Sequence, residues 1–331
     1  MEEHIEKNEE VLLSVKNLTT HYVTREIGTC EAVRNVSFDI HKGETLGLVG
    51  ETGAGKTSIA LSILRLLPVP PAKIVEGEIY WGAKNLLKVH EREMRKIRGG
   101  EISMVFQDPM TALNPVDTVG DQIAEVIYLH QKVTKVESKR LAAEMLEVVG
   151  IPKERFGEYP HQFSGGMKQR VIIAMALACN PKLLIADEPT TALDVTIQAQ
   201  VLRMMNDLKS KNGTAVLLIT HDLGVIAEMC QRVAVIYSGE IVEMGTAEDL
   251  FDRTAHPYTM GLFDSLPRVS SGNRLIPIPG MMPDPSNLPK GCKFAERCKY
   301  TTDVCREQEV DLTEIEPGHY CRCIHKLTKE G

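Results

Sequence analysis

Residues 50–57 read Gly-Glu-Thr-Gly-Ala-Gly-Lys-Thr, and this stretch decides the fold of the chain. It fits the pattern G-x-x-x-x-G-K-[ST], in which glycines permit positive φ angles and let backbone N–H groups close around phosphate oxygens. Lys56 would place a positive charge on the β- and γ-phosphates, and the Thr57 hydroxyl could bind Mg²⁺. The residues predicted to surround the phosphates are Gly50, Thr52, Gly53, Ala54, Gly55, Lys56, Thr57 and Ser58. The stretch therefore predicts a nucleotide site.

The segments on either side of this phosphate loop support the same interpretation. Residues 45–49 are apolar enough for a short buried strand, and residues 58–67 predict a helix whose N-terminus faces the anion. In this strand–loop–helix context, a glycine-rich turn with a chance lysine is the weaker alternative. The sequence thus predicts an α/β nucleotide-binding fold.

Composition limits the possible classes of protein. The chain has 331 residues, of which 43% are hydrophobic and 25% charged, enough for one or two domains with a full core. Its net charge of −7 argues against a broad nucleic-acid surface, which needs a basic face. No apolar run reaches the roughly 18 residues of a membrane-spanning helix, and the acidic N-terminus is not typical of a signal peptide. We therefore expect a cytosolic protein.

Two carboxylates follow the apolar residues 183–186, which predict a buried strand. An acidic pair is costly to bury without a cation, so Asp187 is predicted to hold the Mg²⁺ that Thr57 also binds. Glu188 is predicted to polarise an attacking water molecule as a general base. A carboxylate that caps the following helix would explain one acid but not the pair.

Three single residues have both a functional and a structural interpretation. Tyr22 could stack on an adenine ring or could be a packed strand residue. Gln107 follows the predicted strand 102–106 and could bind Mg²⁺ or orient water, or could be an ordinary loop residue. His221 ends another apolar strand and could sense the γ-phosphate or be structural.

A helical region separates the loop from the acidic pair. Apolar residues recur at helical spacing, so residues from about 108 to 175 predict a helical insertion in the α/β domain. Its last helix is predicted to begin after Met167. The preceding Ser164, Gly165 and Gly166 fit either an ordinary N-cap or a second phosphate-binding helix N-terminus.

These motifs occur in the order of a known family and together resemble the ATP-binding subunit of an ABC transporter. The resemblance covers residues from about 11 to 262, although Phe163 and Met167 depart from the commoner L-S-G-G-Q. It implies the ABC nucleotide-binding domain of the P-loop NTPases. That fold is α/β, with a mixed-sheet core, an antiparallel β subdomain and a helical subdomain at about 108–175, all within residues 1–262.

The resemblance also implies ATP and Mg²⁺ as cofactors and a head-to-tail dimer. In such a dimer, the signature residues Ser164, Gly165 and Gly166 of one chain complete the site around the γ-phosphate held by the other chain. Beyond the phosphate loop and the signature, the implied ATP contacts are Tyr22, Gln107 and Asp194. The implied Mg²⁺ ligands are Thr57, Gln107 and Asp187, and the implied catalytic residues are Glu188, His221, Gln107 and Lys56.

The remaining residues, 263–331, are predicted to form a C-terminal extension with a proline-rich connector at 276–289. Residues 256–262 and 291–298 are similar to the C-terminal extension of oligopeptide/dipeptide importer ATPases of the Opp/Dpp type. This narrower resemblance covers nearly the whole chain.

Five of the eight cysteines lie in this extension. The predicted ligands of a metal centre are Cys292, Cys298, Cys305 and Cys323, whose spacings are too long for paired C-x₂-C knuckles. Four thiolates suit a [4Fe–4S] cluster or, alternatively, Zn²⁺, and the resemblance favours iron–sulfur. Cys321 is the second choice for the fourth ligand, because the last cysteine of the G-H-x-x-x-C motif falls on Cys323. His319 and His325 are weaker candidates, and four free thiols are the alternative to a metal.

The predicted function is therefore the ATP-hydrolysing subunit of an ABC importer for di- or oligopeptides or a related solute such as nickel. The implied partners are two membrane permeases, an extracytoplasmic solute-binding protein and a second ABC ATPase, related or identical, with no nucleic acid. The chain would lie at the cytoplasmic face of the plasma membrane. The alternatives are a soluble ABC ATPase in iron–sulfur assembly or nucleic-acid maintenance, and a non-catalytic regulatory cassette, which Lys56, Asp187, Glu188 and His221 disfavour.

Overall fold

The computed structural model describes residues 10–26, 28–108, 112–190, 193–265 and 277–325. The chain divides into two compact units. The signature unit comprises residues up to 13, 39–44 and 81–217, and the phosphate-loop unit comprises 14–38, 45–80 and residues from 218 onwards. The predicted domains, residues 1–262 and 263–331, rest on sequence motifs and not on compact units, so this division stays a prediction. Residues 266–276 and 326–331 of the predicted extension lie outside the described residues.

The phosphate-loop unit contains most strands of the molecule. Its strands, some of which extend a few residues beyond the unit, are β1 (Val11–Thr24), β2 (Gly28–His41), β3 (Thr45–Val49), β4 (Ala72–Trp81), β9 (Arg232–Tyr237), β10 (Glu240–Thr246), β11 (Thr313–Glu316) and β12 (His319–Cys321). Its helices are α1 (Lys56–Ile63), α7 (Leu223–Met229), α8 (Ala247–Asp252), α9 (Pro257–Asp264) and α10 (Asp303–Glu307). One sheet has the order β2–β1–β4.

The other sheet of this unit is mixed, as predicted. β3 pairs in parallel with β9, so that Leu48 lies opposite Ala234, whereas β9 and β10 form an antiparallel hairpin. The C-terminal β12 continues the sheet on the far side of β10, and β11 pairs with β12. The sequence did not predict this addition, because β12 has only three residues and no alternating pattern.

The signature unit contains the helices of the predicted insertion. Its strands are β5 (Lys84–Asn85), β6 (Ile102–Val105) and β7 (Leu183–Asp187), and its helices are α2 (Glu91–Ile97), α3 (Val119–His130), α4 (Lys135–Val148), α5 (Gly165–Leu177) and α6 (Val195–Asn212). β6 and β7 pair in parallel, with Val105 opposite Ala186. The boundary between the units falls within β8 (Ala215–Thr220), between Leu217 and Leu218.

The helical insertion and the buried strands agree with the predictions, and two boundaries differ. α5 begins at Gly165 rather than after Met167, because the Ser164 side chain caps it by accepting a bond from the Met167 N–H. α1 ends at Ile63, followed by Arg65 at a φ of 53°. None of the helices in the described ranges is long and apolar enough to cross a membrane.

Candidate nucleotide site

The phosphate loop connects the fully buried strand β3 to helix α1. Gly53 and Gly55 have φ angles of 83° and 104°, in the left-handed region that glycine tolerates. A Cβ at Gly55 would lie 2.3 Å from the carbonyl oxygen of Ala32, and one at Gly50 would lie 2.2 Å from that of Ile236. Gly50 and Gly55 are therefore required by the close approach of neighbouring backbone, whereas Gly53 is favoured by its positive φ.

Lys56 is held inside the curve of the loop. Its side chain is buried, with the residue 6% exposed, and its Nζ donates to the carbonyl oxygens of Gly50 at 2.7 Å and Glu51 at 2.9 Å. The ammonium group is therefore already positioned at the concave side of the loop, where the motif predicts phosphate.

Tyr22 and His221 belong to the same unit as the loop. Tyr22 lies near the end of β1, and its hydroxyl is 3.3 Å from the Ser58 hydroxyl in α1. His221 directly follows β8 and is exposed, while its neighbour Asp222 caps α7. Tyr22 is half-buried and His221 is exposed, and the roles predicted for them from the sequence remain predictions.

The loop also has a contact that the sequence pattern did not predict. Glu51, at a variable position of the motif, forms an ion pair with Arg297, whose Nη1 lies 3.0 and 3.1 Å from the two carboxylate oxygens. Burial alone would lower the pKa of Arg297, but Tyr237 and Glu51 outweigh burial and hold that pKa above its ordinary value. The only hint in the sequence is that Arg297 immediately precedes Cys298.

The acidic pair lies in the signature unit, at the carboxyl end of β7. Because β6 and β7 are parallel and in register, the residues that follow them lie at the same edge of the sheet. The Gln107 side chain donates to Glu188 Oε2 at 3.1 Å. Asp187 is only 1% exposed, and Glu188 has a φ of 47°, unusual for a residue with a side chain. The structure thus brings Gln107 and Glu188 together next to a buried carboxylate.

The signature residues begin helix α5 in the same unit. A Cβ at Gly166 would meet the Ile197 side chain at 2.7 Å, whereas a Cβ at Gly165 would have nothing within 4 Å among the residues the structure describes. Asp194 caps α6 by accepting a bond from the Ile197 N–H at 3.0 Å. Gln169 in α5 donates to the Pro189 carbonyl at 2.6 Å and so links the signature helix to the segment after the acidic pair.

Four cysteines line one cavity of about 20 Å³ in the phosphate-loop unit. They are Cys292, Cys298, Cys305 and Cys323, and His325 lies beside them with Nε2 3.6 Å from the sulfur of Cys305. Burial raises the pKa of Cys323 to about 11 and also raises the pKa of Cys292 and Cys298. Cys321 lies in β12, opposite Glu243 of β10, and does not line this cavity.

Two of these sulfurs accept backbone hydrogen bonds. The N–H of Tyr300 donates to Cys298, and that of His325 donates to Cys323, each at 3.4 Å. Donor groups of this kind stabilise thiolates bound to a metal or cluster.

Two family models and several known proteins are similar to this chain. The model of the ABC transporter family matches residues 33–191, and that of the oligopeptide/dipeptide transporter C-terminal region matches residues 242–305. A probable peptide ABC transporter ATP-binding protein, y4tR of Sinorhizobium fredii, is 54% identical, with 95% of each chain covered. The chain belongs to the family of ATP-binding subunits of peptide ABC transporters. It is therefore an ATP-binding ABC ATPase coupled to transport.

Two further relatives of this ABC ATPase come from Bacillus subtilis. The oligopeptide transport protein OppD and the dipeptide transport protein DppD are each 50% identical, over 94% and 95% of this chain and 88% and 94% of their own lengths. Among solved structures, the dimeric ATP-binding cassette MJ0796 with ADP and Pi matches with a TM-score of 0.64 and 29% identity. The match covers 71% of this chain and 98% of that cassette and confirms the predicted ABC cassette fold.

Proposed function

We propose that this ABC ATPase powers the import of di- or oligopeptides through separate membrane permeases. The observation that carries the proposed ATP hydrolysis is the arrangement at the end of β7. There the buried Asp187 precedes Glu188, whose carboxylate accepts a bond from Gln107 at 3.1 Å. This arrangement suits hydrolysis rather than binding alone, because it holds a carboxylate where a water molecule can be polarised. The names of the relatives OppD and DppD support peptide as the solute, and nickel or a related solute is the alternative.

In this proposal, each group has a defined task. The phosphate loop residues Gly50 to Ser58 hold the phosphates through N–H groups, and Lys56 neutralises their charge. Tyr22 contacts the adenine, His221 contacts the γ-phosphate, and Glu188 takes a proton from the attacking water. Asp194 and Gln107 also line the ATP.

The oxygen donors of Thr57, Asp187 and Gln107 fit Mg²⁺, which prefers carboxylate, hydroxyl and carbonyl oxygen. A buried carboxylate such as Asp187 also favours a cation nearby. When bound, Mg²⁺ would supply charge neutralisation on the β- and γ-phosphates.

A second ATPase chain would complete each site. The signature residues Ser164, Gly165 and Gly166 would meet the γ-phosphate held by that partner, which is either a related subunit or a copy of this chain. The solved relative MJ0796 is a dimer, which supports this assembly.

The test of hydrolysis is the variant Glu188→Gln. We expect it to bind ATP as the wild type does, to accumulate as an ATP-bound dimer, and to hydrolyse ATP roughly 10²–10⁴-fold more slowly, the range for a lost general base. Glu228→Gln, an exposed acid on α7, is the matched control. Unchanged hydrolysis in Glu188→Gln would remove Glu188 from this role.

The partners are tested by purifying the tagged chain from membranes and identifying the associated proteins. We expect two permeases and a second ABC ATPase at the cytoplasmic face of the plasma membrane, with an extracytoplasmic peptide-binding protein in the same complex. Recovery only with soluble iron–sulfur assembly or nucleic-acid proteins would support the alternative function instead.

We also propose that Cys292, Cys298, Cys305 and Cys323 hold a [4Fe–4S] cluster, with Zn²⁺ as the alternative. The support is that these four thiols, and not Cys321, line one cavity and that two of them accept N–H donors. A bound cluster or ion would stabilise the C-terminal segment (residues 277–325) by cross-linking cysteines that are distant in sequence.

Cys323→Ser tests this assignment, and Cys321→Ser is its matched control. After anaerobic purification we expect brown colour, iron and sulfide in the wild type and in Cys321→Ser, and their loss in Cys323→Ser. Stoichiometric zinc without iron would contradict the cluster, and equal metal loss in both variants would contradict the choice of Cys323.

A further inference from the structure

The C-terminal segment is attached to the phosphate loop through Arg297. The Arg297 side chain is 6% exposed, and its Nη1 lies 3.0 and 3.1 Å from the two carboxylate oxygens of Glu51. Its Nε donates to the Pro279 carbonyl at 2.8 Å, and Nη1 also contacts the Tyr237 hydroxyl at 3.3 Å. The guanidinium group is therefore held by the C-terminal segment on one side and by the loop on the other.

A second contact fixes the backbone of the same loop residue. The Glu51 N–H donates to the Tyr258 hydroxyl at 3.0 Å, and Tyr258 is fully buried in α9. The ring of Phe294, three residues before Arg297, lies 5.4 Å from that of Tyr258 and 5.3 Å from that of Tyr237. The backbone of Glu51 is thus bound directly to a buried aromatic cluster (Tyr237, Tyr258 and Phe294) that the C-terminal segment completes, and its side chain is joined to that cluster through Arg297.

The charge of Glu51 gives this attachment a consequence for the ligand. A carboxylate within a loop that binds a polyanion repels the phosphates unless a cation neutralises it. Arg297 supplies that cation from a position 246 residues away in the sequence. A buried guanidinium that contacts both carboxylate oxygens also restricts the rotation of Glu51 and hence the shape of the loop.

We propose that Arg297 is a positioning residue for ATP: it neutralises Glu51 and fixes the phosphate loop, so that the C-terminal segment sets the affinity for nucleotide. This inference rests on the proposed use of the loop for ATP, and it does not depend on what the cysteines hold.

The test is the affinity for MgATP of Arg297→Ala, Glu51→Gln and the double variant. We expect Arg297→Ala to raise the Kd and the KM for ATP roughly tenfold, the size of one lost charged hydrogen bond, with kcat at saturating ATP nearly unchanged. The double variant should recover most of the affinity, because Glu51→Gln removes the charge that Arg297 neutralises. The Kd of Arg297→Lys should lie between those of wild type and Arg297→Ala. Lysine keeps the positive charge but lacks the planar guanidinium group that bonds to Glu51 and Pro279 together.

The matched control is Arg34→Ala, which removes another arginine of the same unit, paired with Glu31, with Glu240 and, in the C-terminal segment, with Glu309. It should leave the Kd for ATP unchanged. Failure of the wild type and of this control to bind ATP would refute the proposed function of the loop. An unchanged Kd in Arg297→Ala, or no recovery in the double variant when thermal unfolding shows both to be folded, would refute the inference about Arg297.

Discussion

The phosphate loop and the signature segment (residues 164–166) are both predicted to contact phosphate, but the chain builds them differently. In the loop, the glycines are required by the chain itself, because Cβ atoms at Gly50 and Gly55 would lie 2.2 and 2.3 Å from backbone oxygens. In the signature segment, Gly165 has open space among the described residues, and Ser164 caps its own helix. The shape of the loop is therefore fixed by contacts within one chain, whereas nothing described in this chain requires glycine at position 165.

Because of this difference, substitutions in the loop and at Gly165 should cause two different kinds of defect. A change in the loop should affect the single chain, through its stability or its affinity for ATP. A change at Gly165 should affect only the assembly in which a second chain's ATP approaches the signature segment.

The largest effect is expected for Lys56→Ala. Removing the ammonium group that lies inside the loop takes away the charge that we propose neutralises the β- and γ-phosphates, so ATP affinity and hydrolysis should each fall roughly 10²–10³-fold. Titration with MgATP and the thermal stabilisation by saturating ATP measure the affinity.

The control for this variant is Lys132→Ala, which removes an exposed lysine from the signature unit. It should keep both activities. ATP affinity within twofold of wild type in Lys56→Ala would contradict the phosphate-binding role of the loop.

A smaller but more selective effect is expected for Gly165→Ala. The added methyl group meets no described atom, and alanine favours helix over glycine, so the thermal midpoint and the ATP affinity of the single chain should be unchanged or slightly raised. The hydrolysis rate should fall roughly tenfold or more, because the methyl group would occupy space needed by the partner's phosphate. Rates are compared at saturating ATP with the dimer fraction measured in parallel.

Gly50→Ala provides the contrast. Its methyl group would collide with the backbone of Ile236, which cannot move aside as a flexible side chain can, so the thermal midpoint itself should fall. Full hydrolysis by Gly165→Ala would show that the signature segment does not meet phosphate closely.

Three contacts show which parts of the structure the sequence could predict and which it could not. The meeting of Gln107 and Glu188 follows from adjacent parallel strands, since each residue comes just after an apolar run and such ends share one edge of a sheet. The Glu51–Arg297 pair does not follow from any periodic pattern, because its partners are 246 residues apart and Glu51 occupies a variable motif position. The same holds for β12, whose pairing depends on the position of β10 rather than on its own three residues.

The smallest predicted effect is a loss of stability at acidic pH, which we expect to arise from His256 in the phosphate-loop unit. His256 caps α9, where its Nδ1 accepts a bond from the N–H of Tyr258, the residue whose hydroxyl holds the loop. Burial lowers the pKa of His256 to about 4, from the ordinary 6.5, although Glu243 opposes the shift. Between these values the unfolded chain binds a proton that the folded chain excludes, so stability is complete above pH 6.5 and falls as the pH drops towards 4.

At pH 5.5 the expected loss from this one group is about 1 kcal/mol relative to pH 7.5. Urea unfolding of wild type and His256→Asn at both pH values measures it, since asparagine is a good N-cap but does not titrate. The variant should lose about 1 kcal/mol less than wild type on acidification, while Gly165→Ala, altered in the other unit, should follow the wild type. Equal losses in wild type and His256→Asn would mean that His256 does not link acid to the helix that anchors the phosphate loop.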